Sequence, residues 1–201
     1  MLKRLAKATM IVGLLGIVGL AGYTWWLTSQ GWHFLAPAGH GEKIGEFEDV
    51  GIFGNDGAND RGDYGLQFEC VEFINRFYAV RLGHKNMTQS GNAEDYFRHT
   101  ANKGLVAYPN GSNERPRKYD SLVFDGGDND GNVGHIALIT EVGNDRVTFV
   151  QQNAVAWKHG WFAKDIWRDS LPLTEDHGTW TIAQGRNRLP VIGWSRPAAK
   201  K

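Results

Sequence analysis

The chain has 201 residues, with 22 basic and 22 acidic side chains and a formal net charge of zero. Setting aside Lys3, Arg4 and Lys7 leaves 19 basic against 22 acidic residues, a balance with no electrostatic pull toward nucleic acid. The length allows one domain with its own core plus an appendage, and the single cysteine, Cys70, excludes a disulfide-stapled scaffold.

Residues 8–27 are uncharged and mostly apolar. As a helix they would run about 30 Å, enough to cross a bilayer core. Lys3, Arg4 and Lys7 precede this run, and no Lys or Arg follows until Lys43. The expectation is therefore an uncleaved single-pass anchor over 1–30 in the cytoplasmic (inner) membrane, with the body of the chain extracytoplasmic (periplasmic). A cleaved signal peptide is the rival reading, with Ala36-Pro37-Ala38 as its small-residue site, but the apolar run is longer than a usual signal core.

Residues 31–53 are rich in Gly and Pro and read as a stalk; the body is placed at 54–196 and a tail at 197–201. The Asn/Asp/Gly loops at 54–63 and 126–134 depart from calcium-binding offsets, since Val133 stands where an EF-hand needs glycine. Both are read as turns, and no metal or cofactor is expected. Between them, Phe73, Ile74, Phe77, Tyr78 and Leu82 recur at helical spacing. Cys70 falls at the first turn of this helix, where unpaired N–H groups and the helix dipole favour thiolate. The competing reading is an inert buried cysteine. A short helix is expected over 93–102 and a buried strand over 121–124.

Two strands, 135–142 and 146–153, flank Gly143-Asn144-Asp145 as a hairpin. If Val142 pairs with Arg146, Asn153 falls opposite His135 and Gln151 lies diagonally on the same face. Either amide can accept the imidazole Nδ1–H and leave the other ring nitrogen for a thiol. Glu141 is six residues from His135, about 20 Å at strand rise, and cannot orient it. Cys70, His135, and Asn153 or Gln151 thus supply the nucleophile, base and orienting group of a cysteine hydrolase. Trp157, Trp161, Trp167 and Trp180 follow as core residues or as the lining of a groove.

Phe68-Glu69-Cys70-Val71-Glu72-Phe73, Gly134-His135-Ile136-Ala137 and Val150-Gln151-Gln152-Asn153 together resemble the CHAP family of cysteine- and histidine-dependent amidohydrolases and peptidases. Ala107-Tyr108-Pro109-Asn110-Gly111-Ser112 and Ile192-Gly193-Trp194 resemble in particular its glutathionylspermidine amidase branch. The resemblance implies an α+β, papain-like fold over 54–196, with the Cys70 helix packed on an antiparallel sheet. It also implies attack by Cys70 on an amide carbonyl and protonation of the leaving amine by His135. The substrate is then peptide-like: a peptidoglycan stem peptide, favoured by the exported topology, or glutathionylspermidine. Two residues depart from the family pattern, Glu69 in place of Gln and Gln151 in place of Glu. They leave open a third reading, a domain that binds peptide with impaired catalysis.

Overall fold

The structure is a computed structural model and describes residues 16, 18–27, 32–34, 38–55, 57–58, 60–84, 89–126, 133–154, 157–159, 162–164, 166–184 and 189–199. The chain divides into two units, residues 1–37 with 156–165, and residues 38–155 with 166–201. In chain order the strands are β1 (Trp32–Phe34), β2 (Lys43–Phe47), β3 (Val50–Phe53), β4 (Arg61–Gly62), β5 (Gly65–Leu66), β6 (Leu105–Pro109), β7 (Ser121–Phe124), β8 (His135–Val142), β9 (Arg146–Val150), β10 (Trp157–His159), β11 (Phe162–Lys164), β12 (Arg168–Asp176), β13 (Thr179–Ile182) and β14 (Val191–Pro197). Among the described residues of the larger unit two α-helices are present, α1 (Cys70–Arg81) and α2 (Asp95–Arg98).

The smaller unit holds a three-stranded antiparallel sheet, ordered β1-β11-β10, and a helical stretch at 18–27. Residues 8–15 and 17 of the expected span lie outside the described residues. Among the described residues no helix is long and apolar enough to cross a membrane. This corrects the single-pass anchor, and with it the inner-membrane localisation and periplasmic placement that depended on it.

The larger unit is built on a seven-stranded antiparallel sheet, ordered β13-β12-β9-β8-β7-β14-β6. The α+β, papain-like expectation is corrected here as well, because most of the described architecture is sheet and the helices are few. The helix expected over 93–102 ends at Arg98: His99 leaves helical geometry at φ −125, ψ 45, and a 3₁₀ turn follows over Thr100–Lys103. The region after 166 instead pairs as strands, with Leu171 and Leu173 buried and Pro172 exposed between them, the period-two alternation that a half-buried strand requires.

Alternation along β8 divides the core. Ile136 and Leu138 join a cluster with Phe73, Ile74, Phe77 and Tyr78 of α1. Ala137 and Ile139 join one with Leu122, Phe149, Leu171 and Trp194 on the other face. Residues 43–53, read from sequence as a stalk, form the β2–β3 hairpin, whose Val50 and Ile52 are buried in the α1 cluster. The alternation of Val50 and Ile52 is short and interrupted by Gly51, which weakens its signal in the sequence.

Candidate active site

Three local features set up the start of α1. Phe68 takes a left-handed conformation, φ +61, a strained choice for a side chain of its size. Its ring packs against those of Phe53 and His40, at 5.2 and 4.7 Å between centroids. Glu69 follows in extended geometry as the residue flanking the helix, and its carbonyl accepts the first helical hydrogen bond, from Phe73 N at 3.2 Å. Cys70 is thereby fixed at the first helical position.

The thiol is 7% exposed and belongs to the α1 core cluster. Burial pushes its pKa up to about 12, and the Glu69 carboxylate adds to the rise. The backbone N–H groups of Ile136, Val71 and Cys70 itself work in the opposite direction and are outweighed. The helix-start expectation of a thiolate at rest is therefore corrected: the N–H groups are present, but desolvation of a sulfur anion in an apolar cluster costs more than they return. The hydrogen bond from Ile136 locates the sulfur beside the peptide that joins His135 to Ile136.

His135 opens β8, and Gly134 before it sits at φ +71. A Cβ on Gly134 would lie 2.5 Å from Phe124 O, so the approach of the chain to β7 admits only glycine. The His135 ring lies near Phe124, 5.9 Å between centroids. Its Nε2 is 3.0 Å from Gln151 Oε1. The amide orientation of Gln151 follows from its other end, where Nε2 donates to Ile166 O at 2.8 Å. The oxygen therefore faces the ring, imidazole Nε2 carries the hydrogen, and Nδ1 is the basic nitrogen. Sequence reasoning had assigned the orienting bond to Nδ1.

The hairpin register explains which amide arrives. At the turn Val142 pairs with Val147, one residue beyond the expected Arg146. An irregularity between Ile139 and Glu141 absorbs that residue, and Leu138 pairs with Val150 as the expected register requires. Gln151, 1% exposed, continues the strand direction, with its N–H on Trp167 O at 2.8 Å. Asn153 turns away at φ +51, and its Nδ2 donates to Glu69 Oε2 at 2.7 Å. Asn55 Nδ2 holds the other carboxylate oxygen at 3.0 Å. Cys70, His135 and Gln151 thus lie toward one end of the sheet, while Asn153 secures the carboxylate of Glu69, the residue before Cys70.

Sequence reasoning missed Gln152. Completely buried, it donates to Glu69 O at 3.0 Å and Glu72 Oε2 at 2.8 Å. Its Oε1 accepts from Phe53 N at 3.0 Å and Arg76 Nη2 at 3.2 Å. Arg76 in turn pairs with Glu72 at 2.6 Å and donates to Gly51 O at 2.8 Å. The available signal was the Glu72/Arg76 pair, four residues apart on a helix otherwise committed to burial. Of the tryptophans, Trp167 packs against the α1 cluster, with its ring beside Gly45. Trp180 lies under the Arg115 guanidinium at 4.8 Å. Trp161 and the side chain of Trp157 lie outside the described residues.

A cysteine at a helix start, its sulfur beside the peptide that follows a histidine, and a buried amide on that histidine's Nε2 are the groups that a cysteine amidohydrolase uses. The CHAP domain family model matches residues 58–153, a stretch that contains all these groups. It is 27% identical over 158 residues to the bifunctional glutathionylspermidine synthetase/amidase of Escherichia coli (strain K12), an alignment covering 74% of this chain and 25% of that protein. The enzyme of the same name from Shigella flexneri matches to the same extent. Trypanothione synthetase of Crithidia fasciculata is 29% identical over 147 residues, 65% of this chain and 21% of that protein. The chain thus spans about a quarter of the length of these curated relatives.

Proposed function

We propose that the domain at 54–196, completed by the core hairpin at 43–53, hydrolyses the amide bond of a glutathionylspermidine-type substrate with Cys70 as nucleophile. As carbonyl carbon meets Cys70 Sγ, the thiol proton passes to His135 Nδ1; the C–N bond then breaks and the leaving amine takes that proton. Water, deprotonated by His135, attacks the thioester and releases the acid and the thiol. Gln151 keeps the ring in the tautomer that makes Nδ1 basic. Because burial keeps the thiol protonated at rest, the proton leaves during attack, and His135 acts as a general base in place of one half of a standing ion pair. The observation that carries this reading is the His135 Nε2 to Gln151 Oε1 contact at 3.0 Å, with the thiol held beside the next peptide. The peptidoglycan alternative drew its weight from the exported topology and has lost that support.

Purified full-length chain incubated with glutathionylspermidine should release glutathione and spermidine, with Cys70→Ala as the zero, and a muropeptide should be a poorer substrate. Faster cleavage of the muropeptide would move the substrate to peptidoglycan. The raised thiol pKa and the neutral Gln151 favour a second reading, a domain that binds such peptides without cleaving them. Saturable binding of glutathionylspermidine without any Cys70-dependent product would establish it.

A further inference from the structure

The four hydrogen bonds of Gln152 connect the two halves of the site through one side chain. Its neighbour in sequence, Gln151, holds His135. Its own Nε2 binds the carbonyl of Glu69, the residue before Cys70. That carbonyl and the Cys70 N–H belong to the same planar peptide, so a hydrogen bond to the oxygen sets the direction of the N–H and polarises it. The Cys70 N–H lies at the sulfur, where the oxygen of an attacked carbonyl would gather negative charge. Phe73 N takes the other acceptor site of Glu69 O at 3.2 Å. The carbonyl is thus held by the helix on one side and by the strand end on the other.

We propose that Gln152 is a positioning residue for catalysis: it aims the Glu69–Cys70 peptide so that the Cys70 N–H serves as an oxyanion donor, and it fixes that donor relative to the His135/Gln151 pair. This rests on Cys70 being the nucleophile of the amidase reading above. Strand alternation provides the physical basis. Gln151 faces His135, so Gln152 must face α1, and an amide is the side chain that can donate there to a carbonyl and a carboxylate while accepting from Phe53 N and Arg76. Glu72 and Arg76 hold the amide in this orientation, since Glu72 Oε2 requires a donor and Arg76 Nη2 requires an acceptor.

The network permits a test that separates positioning from stability. In the exchanged pair Glu72→Gln with Gln152→Glu, the hydrogen bond between positions 72 and 152 is kept with its direction reversed, and the net charge beside Arg76 is unchanged. The donor to Glu69 O is lost and a carboxylate oxygen takes its place, and the Arg76 Nη2 bond to Glu72 Oε2 is given up with it. The Tm should fall, because a carboxylate oxygen now faces Glu69 O, while the rate of Cys70 alkylation by iodoacetamide in the folded protein should stay near the parent value and KM for glutathionylspermidine should stay within about twofold. The kcat should fall about tenfold, part of the ~10²–10³ that removal of an oxyanion donor costs. Gln152→Leu, which adds no charge, should lower kcat by the same factor along with Tm. A kcat within about twofold of the parent in either variant overturns the positioning role while leaving the amidase reading intact. Absence of Cys70-dependent turnover in the parent overturns both.

Discussion

Gln151 presents its side-chain oxygen to Nε2 of His135 at 3.0 Å and its side-chain nitrogen to Ile166 O at 2.8 Å. A neutral amide therefore does two tasks at once, holding the imidazole and satisfying a partly buried carbonyl. A carboxylate at this position would strengthen the first contact and turn the second into a repulsion between two acceptors. Gln151→Glu should raise kcat/KM about tenfold by stabilising the imidazolium that forms during attack, while lowering stability by ~1–3 kcal/mol. Gln151→Ala, which releases the ring, should lower kcat about 100-fold. Steady-state kinetics and denaturant melts on the same preparations check both. A Gln151→Ala enzyme as fast as the parent would show that some other group orients His135.

Burial pushes the Cys70 thiol up to about 12, so at neutral pH the protonated form dominates. The thiolate fraction then grows about tenfold per pH unit throughout the neutral and mildly alkaline range. Iodoacetamide alkylation of the folded chain should follow that slope without levelling off below pH 9. Since Cys70 is the only cysteine, the label reports on one site. A plateau beginning below pH 8 would mean that a thiolate–imidazolium pair exists at rest.

The carboxylate of Glu69 raises the Cys70 pKa and is itself held by Asn55 and Asn153. Glu69→Gln removes the charge and keeps a side chain that can accept a hydrogen bond. Alkylation at pH 8 should accelerate about threefold. A double-mutant cycle between Glu69→Ala and Asn153→Ala should show a coupling on the order of 1 kcal/mol, as expected of a charge-assisted hydrogen bond at a partly exposed site. Zero coupling would release Asn153 from this task and return it to the candidates for orienting His135.

Gly134 carries the chain into β8 at φ +71, with Phe124 O 2.5 Å from where a Cβ would stand. Gly134→Ala should cost ~1–3 kcal/mol and also displace His135, so that kcat falls beyond what the loss of folded protein explains. Activity normalised to the folded fraction by circular dichroism tests this. A normalised kcat equal to that of the parent would confine the glycine to a structural role.

The sequence by itself determined the local chemistry: a helix beginning at Cys70, a strand beginning at His135, and an amide within reach of the ring. Periods of 3.6 and 2 fix which face of an element a residue takes, and Phe73, Ile74, Phe77 and Tyr78 and the alternation along β8 carried that information with little ambiguity. Long-range and energetic questions were settled only by tertiary structure. The irregularity between Ile139 and Glu141 restored the register that puts Gln151 at His135, and backbone geometry at Asn153 turned that residue toward Glu69. The later strands pair into one seven-stranded sheet, which no local pattern could specify, because pairing partners lie far apart in the chain. The apolar N-terminal run showed hydropathy alone, and among the described residues no helix is long and apolar enough to cross a membrane. The protonation state of Cys70 was also decided in three dimensions, since a thiol's pKa depends on the solvent it loses as well as the N–H groups it meets, and sequence position reveals only the second.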